Sequence, residues 1–155
     1  MKIVSGGQTG VDRAALDTAL ALGLPHGGWC PRGRMAEDGR IDPRYPLRET
    51  DSWQYPVRTE QNVIDADATL ILCAGELRGG TELTYRMTCK HRRPCLQVDL
   101  DHPPTAVIVA QWLRECRVET LNVAGPRESQ SPGVYQRAGE FLRAVLEPLV
   151  RDAAT

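Results

Sequence analysis

Three glycine-bearing stretches and one arginine-rich stretch hold the residues best suited to chemistry. The first is Ser5-Gly6-Gly7-Gln8-Thr9-Gly10. Glycines let a backbone approach a ligand closely and adopt positive φ. A helix starting behind such a turn offers unpaired N–H groups and its positive dipole end to an anion. Gln8 and Thr9 add side-chain donors. Asp12 is the one acid beside the turn, suited to be a dipole partner, a general base or a hydrogen-bond acceptor. The spacing is neither a Walker loop nor the Gly-x-Gly-x-x-Gly dinucleotide fingerprint. A plain turn would need fewer glycines, so the stretch reads as a phosphate-binding loop for a small molecule.

The second stretch is Gly79-Gly80-Thr81. Thr81 is placed to be a helix N-cap, or to make a second phosphate or sugar contact with the two glycines. The third is Gly125-Pro126-Arg127-Glu128-Ser129, where Arg127 either delivers a fixed charge to an anion or pairs with Glu128 at the surface. The arginine-rich stretch carries Arg32, Arg34, Arg40 and Arg44, interleaved with Glu37, Asp38 and Asp42. Arg32 and Arg34 could clamp a phosphate bidentately; Arg40 and Arg44 read as solvation. Cys89-x-His91-x3-Cys95 and His26-x3-Cys30 lack the paired knuckles of a zinc site, so no metal is expected. No Gly-x-Ser-x-Gly elbow is present, and no catalytic residue is assigned. Were the protein an enzyme, Asp12 or Glu82 would be the general base.

These residues need elements to position them. Short apolar runs at Lys2–Ser5, Ala68–Ala74, Cys95–Leu100 and Thr120–Ala124 read as buried strands, with weaker ones at His26–Cys30 and Leu47–Thr50. Between them, 3.6-residue periodicity predicts helices at Val11–Leu22, Pro56–Ala66, Thr81–His91, Thr105–Cys116 and Val134–Arg151. The inner face of the second is expected to carry Val57, Gln61, Ile64 and Val63. Residues 31–46 read as a loop without structure of its own, long enough to be functional. Alternation of strand and helix implies an α/β Rossmann-like three-layer sandwich, with a mostly parallel central sheet and helices on both faces. The three glycine loops then leave the carboxyl ends of strands and converge on one crevice.

The chain's 155 residues form one expected domain, 1–155, large enough for its own core. With 19 basic and 20 acidic residues, a nucleic-acid partner held by bulk charge is not expected. No apolar run reaches the length of a membrane span, and Ile3-Val4 follows Met1 too closely for a secretory leader. Five cysteines at irregular spacing suggest free thiols and a cytoplasmic setting. The spread of Phe141, Leu142, Val145, Leu146 and Leu149 along the final helix, with Trp53 outside any clear element, fits a homo-oligomer or a broad packing face.

Gly6-Gly7-Gln8-Thr9-Gly10-Val11-Asp12-Arg13-Ala14-Ala15-Leu16-Asp17 resembles the opening of the molybdenum cofactor carrier-like family. This is a branch of the Rossmann-like superfamily that includes the lysine-decarboxylase-like phosphoribohydrolases. The resemblance extends through His26-Gly27-Gly28-Trp29-Cys30-Pro31-Arg32-Gly33-Arg34, Ala36-Glu37-Asp38-Gly39, Tyr45-Pro46-Leu47, Arg58-Thr59-Glu60, Asn62-Val63, Gly79-Gly80-Thr81 and Leu121-Asn122-Val123-Ala124-Gly125-Pro126-Arg127-Glu128-Ser129. It implies a binding protein for the molybdenum cofactor, a phosphorylated pterin dithiolene. Gly6, Gly7, Gln8, Thr9, Gly10, Asp12, Arg32, Arg34, Gly79, Gly80, Thr81, Asn122, Gly125, Arg127 and Ser129 would hold it, with a molybdoenzyme or a cofactor-synthesis protein as partner. One departure bears on activity. The phosphoribohydrolases place a catalytic glutamate three residues after the threonine of their glycine loop. Here that position is Thr84, and Glu82 is adjacent to Thr81. A nucleotide-cleaving enzyme and a nucleotide-signal sensor are the alternative readings.

Overall fold

The computed structural model describes all 155 residues. Nine strands and five helices follow one another as β1 (Lys2–Val4), α1 (Val11–Ala21), β2 (His26–Gly27), β3 (Trp29–Cys30), β4 (Met35–Ala36), β5 (Gly39–Arg40), β6 (Arg48–Glu49), α2 (Tyr55–Asp65), β7 (Ala68–Cys73), α3 (Gly79–Lys90), β8 (Cys95–Asp99), α4 (Ala106–Glu115), β9 (Thr120–Ala124) and α5 (Val134–Ala153). Five strands form one parallel sheet in the order β2-β1-β9-β7-β8. β7 is buried at every residue, as a central strand covered on both faces must be. α5 lies against α1 and α4, while α2 packs on α3. This is the expected Rossmann-like α/β arrangement.

The two faces of the sheet differ in chemistry. On the α1, α4 and α5 side, Val11, Ala15, Val109, Leu113, Leu142 and Val145 join Ile3, Leu70 and Leu121 in one apolar core. That core takes up the broad stripe of α5, and Phe141 and Leu149 pack against it. The stripe is therefore a packing face within one chain. On the other side, the buried residues of α2 are Arg58, Thr59, Asn62 and Val63, and those of α3 are Thr81, Thr84 and Thr88. The expected inner face of α2 holds at Val63, which is buried, and is corrected elsewhere: Val57 is exposed, Gln61 and Ile64 are half-buried, and polar side chains turn inward. A hydrophobic pattern cannot register a helix whose inner face serves a polar cavity.

Residues 31–46 also differ from expectation. Within and around them, β4 and β5 pair as an antiparallel hairpin and β3 pairs with β6 in parallel. Leu16, Cys30, Ala36, Ile41, Tyr45 and Leu47 form a satellite core beneath them. His26–Cys30 is not one strand. It divides at Gly28, whose φ is 123°, into β2 of the main sheet and β3 of the small one.

Candidate functional site

The first glycine loop is shaped mainly by its own protein. Arg58 Nη1 donates to the Gly6 carbonyl at 2.7 Å, and a Cβ at residue 6 would lie 2.1 Å from that nitrogen. Gly10 has φ 76°, and a Cβ there would lie 2.3 Å from the Pro126 carbonyl oxygen. The same carbonyl accepts the Val11 N–H at 3.2 Å, so the start of α1 is partly capped by the third loop. The Gly7 N–H lies 3.4 Å from Ser5 Oγ. Close approach is thus what these glycines provide, but the approaching groups are protein atoms.

The crevice lies where the carboxyl ends of β1, β9 and β7 meet the α2–α3 side. It is a cleft of about 440 Å³, lined from the first loop by Gly6, Gln8 and Asp12, from β9 and its loop by Asn122, Gly125 and Arg127, and from α3 by Gly79, Gly80, Thr81 and Arg86. α2 closes it with Tyr55, Arg58, Thr59 and Asn62. Helix α3 begins at Gly79 with Arg78 at its N-cap, so Thr81 lies inside the first turn and donates its N–H to the Arg78 carbonyl at 3.0 Å. The N–H groups of Gly79 and Gly80 precede the first intrahelical bond and have no partner in the protein. Both residues line the cleft at the positive end of α3.

Several charges shape this space. Burial pushes the Asp12 carboxyl up to about 6, against the opposing pull of Arg58, the Gln8 N–H, Arg13 and the Gly6 N–H. Asp12 Oδ2 accepts the Gln8 N–H at 3.3 Å and lies 3.8 Å from Arg58 Nη1. Arg127 Nε is buried without a formed hydrogen bond, 3.5 Å from Glu37 Oε2. No hydrogen bond from the rest of its guanidinium is satisfied within the protein. Glu37 ties three segments together. Its carboxylate accepts from Ser129 Oγ, Thr9 Oγ1 and, at 3.1 Å, the Ser129 N–H. Those bonds hold its pKa below the ordinary glutamate value. Its own N–H donates to Gln8 Oε1 at 2.8 Å.

Of the residues singled out in the sequence, nine line the cleft: Gly6, Gln8, Asp12, Gly79, Gly80, Thr81, Asn122, Gly125 and Arg127. Six do not. Thr9 and Ser129 are engaged with Glu37, and Gly7 and Gly10 pack against neighbouring segments. Arg34 donates to the carbonyls of Ile41, Asp42, Tyr45 and Leu47 at 2.9 to 3.3 Å. It staples its own segment and is not the free phosphate clamp expected. Arg32 is exposed away from the cleft, as is Glu82, the other candidate base. Arg58 and Arg86 were missed. Arg86 lies on the helix that the Gly79-Gly80-Thr81 loop opens, and Arg58 belongs to a segment that shares in the family resemblance; the inward polar phase of α2 could also have pointed to it. No three His, Cys, Asp or Glu side chains converge as a metal site.

A parallel sheet with a polar crevice beyond its carboxyl edge defines a Rossmann-like ligand-binding domain. Residues 3–146 match the model of the circularly permutated YpsA SLOG family. The chain belongs to that family. It is also similar to a "putative molybdenum carrier protein" of Syntrophus aciditrophicus SB, with 44% identity over 94% of each chain and a TM-score of 0.91 against the 1.45 Å crystal structure. No match is found among curated proteins.

Proposed function

We propose that the protein holds a phosphorylated small molecule, and that this cargo is the molybdenum cofactor. One observation carries the reading. The free N–H groups of Gly79 and Gly80 share a cleft with Arg86, which forms no ion pair, and with Arg127, whose Nε lies 3.5 Å from Glu37 without a formed hydrogen bond. Backbone donors at a helix start plus two guanidiniums make an anion cradle. The cleft volume falls within the roughly 300–1,000 Å³ typical of small-molecule sites. The naming of a close structural relative as a molybdenum carrier supports this choice of cargo.

The lining fits a phosphorylated pterin at its phosphate and at its ring. No thiol or imidazole lines the cleft, so the hold would run through those two ends. That arrangement suits a cargo passed on to a molybdoenzyme or received from a synthesis protein. Native mass spectrometry of protein purified anaerobically from a molybdenum-replete host tests it. A co-purifying mass of the phosphorylated pterin is expected; a nucleotide mass would overturn the choice of cargo.

A second reading has one observation in its favour. Asp12 lines the cleft with its carboxyl pushed up to about 6, a suitable value for a general base. It would activate water against a glycosidic carbon of a nucleotide. Base released from nucleoside monophosphates, and lost in Asp12→Ala, would favour that reading over carriage.

A further inference from the structure

Asp12 is under-satisfied for a buried carboxylate. It is 7% exposed; its carboxylate accepts the Gln8 N–H at 3.3 Å, on Oδ2, and draws on the Gly6 N–H as well. Arg58, its nearest cation, spends Nη1 on the Gly6 carbonyl at 2.7 Å and stays 3.8 Å from Oδ2. A carboxylate can accept about four, so acceptor capacity remains for a ligand. A purely structural acid at the start of α1 would face its own helix N–H groups. This one borders the cleft instead.

Its neighbour completes a pattern. Gln8 Oε1 accepts two main-chain N–H groups, from Thr9 at 3.0 Å and Glu37 at 2.8 Å. Those bonds fix the amide orientation and leave the Gln8 NH₂ as the group without a partner, at the same cleft. The protein therefore presents carboxylate acceptors beside an amide donor. A ligand edge complementary to this offers two adjacent N–H donors followed by a carbonyl. Tyr55 also lines the cleft, with the Arg58 guanidinium over its ring at 5.2 Å from the centroid.

We propose that Asp12 and Gln8 read the ring of the ligand, which carries a 2-amino-4-oxopyrimidine edge: the amino group and ring N–H donate to Asp12, and the 4-oxo group accepts from Gln8. Guanine and pterin share this edge. Adenine presents a different order of donors and acceptors, and hypoxanthine lacks the amino group. An Asp12 engaged with two ring donors is not free to activate water, so the proposal favours holding over cleavage. It rests on the anion reading of the same cleft for the phosphate end of the ligand.

Calorimetric titration of the full chain tests it with four probes: GMP, IMP, 6-hydroxymethylpterin monophosphate and the 2-oxo counterpart of that pterin. Each 2-amino compound that binds is expected to do so at least about tenfold more tightly than its partner lacking the amino group, one such hydrogen-bonded donor being worth that much. The tighter of GMP and the pterin identifies the source of the edge. Asp12→Asn is expected to abolish the preference, GMP losing at least about tenfold more affinity than IMP, because only GMP loses the acceptor of its amino group. Equal binding with and without the amino group would overturn the proposal, as would a preference that survives Asp12→Asn. The wild-type comparison decides even if that variant does not fold. Guanosine is the control for the other end. Guanosine binding as tightly as GMP would sink the anion reading and leave ring recognition standing, whereas no binding by any probe would end both.

Discussion

Asp12 trades stability for a poised carboxylate. Its pKa is raised from 3.8 to about 6 by burial, so between those values the folded protein binds a proton that the unfolded chain has lost. Stability from this group is therefore complete below about pH 4 and lost as pH rises to about 6, a cost on the order of 3 kcal/mol above that. Asp12→Asn removes the titration. The variant should melt higher than wild type at pH 7, with the difference shrinking toward pH 4, when both are followed by calorimetry. Equal melting temperatures across that range would show that the carboxylate is satisfied. Arg127 makes the complementary prediction. Its guanidinium, paired with Glu37 through Nε alone at 3.5 Å, should be spent on the ligand phosphate, so Arg127→Ala should weaken binding of a phosphorylated probe by roughly tenfold or more. Its effect on an unphosphorylated probe should be slight, and Arg127→Lys should recover part of the loss. A uniform loss for both probes would place Arg127 in the architecture instead.

Helices and loops show why some of this was legible in the sequence and some was not. Strands β7, β8 and β9 and four of the helices declare themselves by apolar runs and helical periodicity, because burial on the sheet writes those periods directly. The convergence of three glycine loops follows from the alternation alone. The inward phase of α2 does not, because Arg58, Thr59 and Asn62 face a cavity and break the hydrophobic code. Thr9, Arg34 and Ser129 have the chemistry of ligand contacts but are consumed by Glu37 and by four backbone carbonyls. Sequence reveals a donor without revealing its acceptor. Two consequences can be measured. Gly10→Ala forces a Cβ against the Pro126 carbonyl at a backbone angle of φ 76°, and should cost more than about 2 kcal/mol in denaturant unfolding. Arg34→Ala should expose residues 31–50 to limited proteolysis, since four carbonyls lose their donor, while ligand affinity changes less than in Arg127→Ala. Affinity falling as far as in Arg127→Ala would return Arg34 to the site.

At the scale of the molecule, the sheet divides labour between its faces. The α1, α4 and α5 side carries the continuous apolar core, and the α2 and α3 side carries buried threonines, Asn62 and Arg58 around the cleft. Stability and ligand binding can thus vary with some independence. The same division bears on self-association. With α5 packed into its own core, the remaining apolar surface near the cleft is a rim of Trp53, 73% exposed, with Tyr55 and Val57. If copies of the chain associate, Trp53→Ser should lower the mass seen by light scattering, and an unchanged mass would exclude this rim. No helix is long and apolar enough to cross a membrane. The central claim is that the cleft holds its ligand by a phosphate. Isothermal titration of 6-hydroxymethylpterin monophosphate against the same pterin without its phosphate tests it most directly. The account predicts that the phosphorylated form binds at least about tenfold more tightly; equal affinity for the two would contradict it.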